Sequence, residues 1–168
     1  VTYETVKELI PRLEGQYEAI AVCLINSYIN TENEQKVCRV LKENLNGEVI
    51  VTASHEIARE SREYERVSTA VLNAYVAPST RHHVHALTEE LRKRGFKGTL
   101  YMMQSSGGVI RAEMAAVRAV QTLMSGPVGG AIGAGAIRRE NIIGFDIGGT
   151  SFDVSLVVNG KIETAVEA

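Results

Sequence analysis

The spacing of apolar residues at the start of the chain predicts a short helix followed by a buried strand. In residues 2–13 apolar side chains recur at helical spacing, although Pro11 weakens the last turn. Residues 19–25 (AIAVCLI) form an uninterrupted apolar run between polar residues. Such a run is typical of a strand buried on both faces, and it favours a parallel or mixed sheet.

A second helix and a second strand follow directly. Thr31 and Glu34 have the spacing of a capping box, which predicts a helix starting at this point. Asn46-Gly47 predicts the end of that helix, and residues 48–53 have the composition of a strand. A strand, a helix and a strand in this order predict a βαβ-like unit and hence an α/β fold.

The middle of the chain is predominantly helical in its pattern. Residues 61–76 carry apolar side chains at helical spacing until Pro78, where we expect the helix to end. A separate helix is predicted over residues 79–94, closed by Gly95. The charged run at residues 59–66 (RESREYER) is interpreted as a solvated helix face with local ion pairs.

Strands and glycine-rich segments alternate in the last third. Residues 99–103 predict a buried strand that leads into a Ser-Ser-Gly-Gly loop. Residues 125–135 (SGPVGGAIGAG) predict a helix whose small side chains allow close packing or the approach of a ligand, with Pro127 in its first turn. Residues 142–158 predict two strands joined by a glycine pair, and Asn159-Gly160 predicts a further hairpin.

Composition narrows the class of protein without identifying it. The 168 residues are 45% hydrophobic and 23% charged, as in an ordinary globular protein, and the net charge is -2. No long basic run predicts a nucleic-acid partner, and no apolar run approaches the roughly 20 residues that span a bilayer. We therefore expect a cytoplasmic protein without nucleic-acid or membrane partners.

The absence of an initial Met suggests a piece of a longer chain. Cys23 and Cys38 are predicted to be reduced packing residues.

The most specific chemical signal is the segment from Asp146 to Asp153 (DIGGTSFD). In a tight turn between strands, Gly148 and Gly149 leave backbone N–H groups open to phosphate oxygens, and Thr150 and Ser151 add hydroxyl donors. The carboxylate of Asp146 is suited to hold hydrated Mg²⁺ or to orient an attacking group. The alternative is a plain hairpin, since glycine pairs are common in turns.

Other candidate motifs are weak. The 125–135 segment lacks the Lys-Ser/Thr of a P-loop and the preceding strand and later acid of a dinucleotide fingerprint. No GxSxG motif indicates a serine hydrolase. His82, His83 and His85 are predicted not to bind a metal together, because the helix turns His83 away from the other two.

Four blocks in order resemble the hydantoinase A and 5-oxoprolinase family and span about two thirds of the chain. They are residues 62–78 (REYERVSTAVLNAYVAP), 103–108 (MQSSGG), 123–134 (LMSGPVGGAIGA) and 146–157 (DIGGTSFDVSLV). The last block also resembles the wider actin, sugar-kinase and Hsp70 ATPase superfamily. It departs from the family pattern DMGGTSTD at Phe152, which stands in place of a threonine and puts any contact from that position in doubt.

The resemblance implies part of a ribonuclease-H-like, actin-like ATPase fold of two lobes. Residues 1–53 would be the end of the first lobe, residues 54–141 connecting helices with one strand and glycine-rich segments, and residues 142–168 the opening hairpins of the second lobe. One of the family's two phosphate turns is present, so we expect this piece alone to be inactive.

The resemblance also implies an ATP- and Mg²⁺-dependent enzyme that activates a cyclic amide by phosphorylation, such as a hydantoin or 5-oxoproline. Asp146 would be catalytic and hold Mg²⁺, while Gly148, Gly149, Thr150, Ser151 and, more weakly, Asp153 would bind the nucleotide's phosphates. Two alternatives remain: a subunit of an ATP-dependent ketone carboxylase, and a non-enzymatic nucleotide-switched module. A hydantoinase B-type subunit is the expected protein partner.

Overall fold

The protein is described by a computed structural model covering residues 2–137 and 141–162. These residues form two compact units. Unit 1 contains the residues up to Leu100 together with Ala112–Val120, and unit 2 contains Tyr101–Arg111 and the residues from Gln121 onward. No helix within 2–137 or 141–162 is long and apolar enough to cross a membrane.

Unit 1 is a parallel strand pair covered by helices. Strands β1 and β2 pair in parallel, with Ala19 opposite Ile50 and Val22 opposite Ala53, which confirms the predicted βαβ-like unit. The elements of unit 1 are α1 (Tyr3–Lys7), α2 (Ile10–Leu13), β1 (Ala19–Val22), α3 (Glu32–Asn44), β2 (Ile50–Ala53), α4 (Ser54–Ile57), α5 (Glu63–Lys93) and α6 (Ala112–Ala115).

The core of unit 1 lies between α3 and one face of the strand pair. Val22 and Val51 pack there with Cys38, Val40 and Leu41, each less than 10% exposed. Burying an aliphatic side chain of this size stabilises the fold by about 1.5–3 kcal/mol. The buried position of Cys38 agrees with a packing role, and burial raises the pKa of its thiol to about 12.

Helix α5 covers the opposite face of the strands, and its length contradicts the prediction of two helices. It runs unbroken for 31 residues through Pro78, at which the sequence predicted an end. Proline removes one helical hydrogen bond and costs about 3 kcal/mol inside a helix. Ala70, Ala74 and Ala77 are buried before Pro78, and Val84 is buried after it. Packing of this small-residue face against β1 and β2 therefore outweighs the local penalty.

Two further expectations in unit 1 are wrong. Thr31 makes no side-chain bond to the start of α3, where instead Asn30 Oδ1 accepts a hydrogen bond from the Glu32 N–H at 3.0 Å. Glu34 is fully buried and points into unit 1 rather than completing a capping box. Within the charged run 59–66, Arg66 is also fully buried, so that run is not simply a solvated face. Both side chains have polar partners from elements distant in sequence, which local patterns do not reveal.

Unit 2 is built on two antiparallel sheets and a glycine-rich helix. β3 pairs with β4, and β5, β6 and β7 form a meander in that order. The second hairpin turns at Asn159 and Gly160, which both have positive φ, as the Asn-Gly pair predicted. The elements are β3 (Tyr101–Met103), β4 (Val109–Arg111), α7 (Ser125–Ile137), β5 (Ile142–Ile147), β6 (Phe152–Val158) and β7 (Lys161–Ile162), with a 3₁₀ turn (Ala119–Thr122) at the boundary with unit 1.

Candidate phosphate-binding hairpin

The segment from Asp146 to Asp153 forms the predicted hairpin. Asp146 lies opposite Asp153 and Ile147 opposite Phe152 in the antiparallel β5–β6 pair. Residues 148–151 form the loop, closed by a 3.0 Å hydrogen bond from the Gly148 N–H to the Ser151 carbonyl. The two glycines therefore lie at the tip of a strand-turn-strand, as the predicted contact of their backbone N–H groups with phosphate oxygens requires.

The structure shows open space above these glycines. An added Cβ at Gly149 would meet no described heavy atom within 4 Å, and one at Gly148 would come no closer than 3.7 Å, to the Ser151 carbonyl. Neither glycine has the left-handed φ that excludes other residues. The fold of the described residues therefore does not require glycine at position 149, whereas an anion approaching the backbone N–H groups does.

Two carboxylates stand at the base of the loop. Asp146 and Asp153 are cross-strand partners on the same face of the sheet, a placement that is unfavourable for like charges. Ser151 Oγ donates a hydrogen bond to Asp153 Oδ2 at 3.1 Å. Hard carboxylate oxygens beside a loop of N–H and hydroxyl donors fit a hydrated Mg²⁺ accompanying a phosphate, because the cation relieves the repulsion of the carboxylates.

Helix α7 covers the face of the sheet that carries these carboxylates. An added Cβ at Gly130 would lie 3.2 Å from Asp146 Oδ2, and one at Gly135 would lie 3.4 Å from Val157. The helix therefore runs antiparallel to β5, with its first turn toward the hairpin loop. The close approach that the small residues predicted is confirmed, and it places Gly130 at the candidate site, a role that sequence reasoning did not assign to it.

A cavity of about 260 Å³ opens between α7 and the hairpin. Pro127 and Gly130 line it from the helix, and Asp146, Asp153 and Ser155 from the strands. The positive end of the α7 dipole lies on the same side as the loop, which favours negative charge there. Of the predicted site residues, Asp146 and Asp153 thus share this cavity with the 125–135 segment.

Phe152 lies on the other face of the sheet. Its ring stacks on Phe145 with centroids 5.7 Å apart, while its neighbours Ser151 and Asp153 are joined by their hydrogen bond on the α7 side. The threonine hydroxyl that the family pattern has at this position would therefore point away from Asp146. Its absence leaves the candidate site intact.

The remaining motifs show no comparable arrangement. His82, His83 and His85 are exposed on α5, and the described residues contain no group of three or more His, Cys, Asp or Glu arranged to hold a metal. The loop after β3 is tied to the 3₁₀ turn, since Ser105 N–H donates to the Gln121 carbonyl at 2.7 Å. Its glycine at position 107 has a φ of 87°, so the turn itself requires it.

A glycine hairpin flanked by two carboxylates is an arrangement suited to binding a phosphate and its metal ion. The profile of the Hydantoinase/oxoprolinase family matches residues 66–168, a stretch that makes up more than half of the sequence. The chain therefore belongs to the hydantoinase/oxoprolinase family.

Curated relatives align along most of the chain. An uncharacterized protein of Methanocaldococcus jannaschii is 36% identical over 162 residues, covering 94% of this chain and 23% of its own length. The acetophenone carboxylase gamma subunit of Aromatoleum aromaticum is 36% identical over 152 residues, covering 86% of this chain and 20% of its own. This chain thus spans between a fifth and a quarter of the length of these relatives.

Two solved structures share the fold. A nucleotide-free acetone carboxylase, described in connection with ATP-dependent acetone carboxylation, superimposes with a TM-score of 0.76 at 32% identity, over 95% of this chain and 23% of that one. The ATP-dependent caprolactamase from Pseudomonas jessenii superimposes with a TM-score of 0.72 at 27% identity, over 92% and 22%. The mixed α/β fold of this chain is therefore similar to that of enzymes that use ATP on a ketone and on a lactam.

Proposed function

We propose that the chain is part of an ATP-dependent enzyme that activates the carbonyl oxygen of a cyclic amide by phosphorylation. Ring opening of a hydantoin or 5-oxoproline is the reaction that we assign first. The observation that carries this proposal is the Gly148-Gly149 loop, open to an anion, with Asp146 and Asp153 at its base. Family membership supports it, because the family is named for reactions of this type.

Phosphorylation makes chemical sense for such substrates. Phosphorylation of the amide oxygen makes the carbonyl carbon more electrophilic, so that water adds to it. The ring C–N bond then breaks, the nitrogen leaves as an amine carrying a proton, and the acyl phosphate that remains is hydrolysed to a carboxylate and phosphate. Phosphoryl transfer depends mainly on positioning and on neutralising charge. Asp146 is assigned to Mg²⁺, with Asp153 in a weaker role. The backbone N–H groups of Gly148 and Gly149 and the hydroxyls of Thr150 and Ser151 are assigned to phosphate oxygens.

Ketone carboxylation is the second candidate, and the comparisons favour it equally. The acetophenone carboxylase subunit and the acetone carboxylase structure both concern ketones. The phosphate chemistry of the hairpin is the same for both reactions, since an activated carbonyl oxygen is common to them. Because relatives are named as subunits, we also propose that a second polypeptide takes part.

We further propose that the hairpins starting at Ile142 open an actin-like ATPase lobe. The division into residues 1–53, 54–141 and 142–168 remains a prediction. A nucleotide-switched module without an enzymatic reaction is the alternative from another class.

The test is substrate-stimulated ATP hydrolysis by the full-length protein, measured with hydantoin, 5-oxoproline and acetone in turn. Stimulation by hydantoin or 5-oxoproline supports the first candidate, and stimulation by acetone only with bicarbonate present supports the second. Hydrolysis that responds to a protein partner and to none of the three compounds would support the switch and contradict both enzymatic candidates.

A further inference from the structure

A buried polar cluster lies in unit 1, where the parallel strands β1 and β2 end. Glu34, with no exposed surface, reaches from α3 to this point. Its Oε1 accepts hydrogen bonds from the Leu24 N–H at 2.8 Å and from Ser54 Oγ at 2.6 Å. Its Oε2 accepts from the His55 N–H at 3.0 Å and contacts His55 Nδ1 at 2.5 Å. In open α/β sheets the carboxyl ends of parallel strands are where ligands bind.

The carboxylate of Glu34 is charged in the folded protein. Burial by itself would raise its pKa, but the hydrogen bonds from Ser54, from the His55 N–H and ring, and from the Leu24 N–H outweigh that effect and lower the pKa to about 2. An ionised carboxylate only accepts hydrogen bonds. His55 Nδ1 must therefore carry the hydrogen in the contact with Glu34.

This contact fixes the tautomer of His55 and leaves Nε2 available. In the neutral ring with hydrogen on Nδ1, Nε2 is an acceptor. The side chain of His55 is only 8% exposed, yet no described residue bonds to Nε2. Among the described residues no buried side-chain nitrogen or oxygen lacks a partner, so Nε2 reaches the surface. A buried carboxylate holding an imidazole by Nδ1 is the arrangement that orients catalytic and ligand-binding histidines.

The charges around this imidazole restrict what it can bind. Arg66 is buried beside Ser54, and all three of its guanidinium nitrogens have partners, among them the Leu24 carbonyl and Glu63. The carboxylates of Glu34 and Glu63 and the guanidinium of Arg66 together carry one net negative charge. An anion is therefore disfavoured, whereas a neutral or cationic ligand with an N–H donor fits an acceptor at Nε2.

We propose that Nε2 of His55 is a proton-accepting site for the N–H group of a neutral cyclic imide such as hydantoin. The N–H of the ligand donates to Nε2. When the proton transfers, the electron pair stays on the ligand nitrogen, conjugated with the carbonyl, and the positive charge on the ring is balanced by Glu34. The class of ligand rests on the proposed function, but the geometry of the acceptor does not.

Two substitutions of His55 distinguish the acceptor atom Nε2 from the Nδ1 contact with Glu34 that orients the ring. His55→Asn retains an amide donor near the position of Nδ1 but has no atom in place of Nε2, whereas His55→Gln puts an amide group near Nε2. His82→Asn on the exposed face of α5 is the matched control.

We expect two-bond ¹H–¹⁵N spectra of the unsubstituted protein to show Nε2 of His55 without a proton at pH 8. Hydantoin should shift that resonance.

Hydantoin binding should weaken about tenfold or more in His55→Asn, the effect of losing one hydrogen bond, with partial recovery in His55→Gln and no change in His82→Asn. A protonated Nε2, no hydantoin binding by the unsubstituted protein, or equal binding by His55→Asn would each overturn the proposal. The tautomer measurement needs no variant, so a folding defect cannot obscure the result. Hydantoin-stimulated ATP hydrolysis that is unchanged in His55→Asn would refute this site alone, whereas binding at His55 without any ATP hydrolysis would refute the proposed function alone.

Discussion

Replacing Gly149 with alanine separates the stability of the hairpin from its capacity to bind phosphate. The added Cβ would meet no described heavy atom within 4 Å, and the φ of Gly149 is not left-handed. Alanine also narrows the ensemble of unfolded conformations, which stabilises a protein by about 0.4–1 kcal/mol at compatible positions. We therefore expect the free energy of unfolding to stay the same or to rise slightly.

ATP hydrolysis, in contrast to stability, should become weaker in this variant. The methyl group would occupy the space through which a phosphate oxygen approaches the loop. A hydrogen bond to a charged group contributes about 1.5–3 kcal/mol. Loss of one such bond from the transition state lowers kcat/KM roughly ten- to hundredfold.

The assay is kcat/KM for ATP hydrolysis by the full-length protein, with urea unfolding of the same samples. Gly133→Ala is the matched control, because its Cβ also meets nothing described, although it lies in α7. That variant should gain up to about 1 kcal/mol of stability and keep its activity. A Gly149→Ala protein with the stability and kcat/KM of the unsubstituted protein would refute the assignment of the Gly148-Gly149 loop to phosphate binding.

Three further outcomes follow from contacts in the two units. Gly130→Ala should lower ATP hydrolysis about tenfold without unfolding the protein, because its Cβ would lie 3.2 Å from Asp146 Oδ2 and displace that carboxylate; wild-type kinetics would contradict this role. Because the pKa of Glu34 is lowered from its ordinary 4.5 to about 2, its contribution of about 3 kcal/mol is present above pH 4.5 and is lost as the pH falls toward 2. Urea unfolding of Glu34→Gln should therefore show less stability lost between pH 5 and pH 3 than in the unsubstituted protein. Pro78→Ala should raise the melting temperature, since alanine provides the N–H that the continuous helix α5 lacks, and a lower melting temperature would show that proline suits its local backbone.

Elements specified by neighbouring residues could be predicted from the sequence. The apolar run at β1 predicted a buried strand, and β1 pairs in parallel with β2 as expected. The glycine pair and the Asn-Gly pair predicted the two turns of the β5–β6–β7 meander, because backbone conformation at a tight turn depends on the residues in it. The hairpin half of the candidate site was therefore accessible to sequence reasoning.

Residues whose partners are distant in sequence could not be placed in this way. Glu34 has the spacing of a capping residue, but its strongest partners, Ser54 and His55, lie 20 and 21 residues away. Arg66 bonds to the carbonyl of Leu24, which lies 42 residues away. A pattern within one helix does not show that a strand end will supply such donors and acceptors. The one available signal was the presence of polar residues directly after two predicted strands, Asn26 and Ser27 after the first and Ser54 and His55 after the second, where parallel strands gather their ends.

Gly130, which lies against the carboxylate of Asp146, and Gly149, which lies in the hairpin loop, are glycine for different reasons. A Cβ at Gly130 would lie 3.2 Å from Asp146 Oδ2 and would push that carboxylate out of place, so the requirement comes from the protein. Gly149 has room for one, so no comparable requirement arises within the described part of the chain. In the sequence, Gly130 and Gly149 are both simply members of glycine-rich segments. The difference between them depends on which atoms an added Cβ would meet, and only the structure shows that. A position that tolerates a side chain sterically but carries none in a loop of N–H donors is where a ligand is expected to complete the packing.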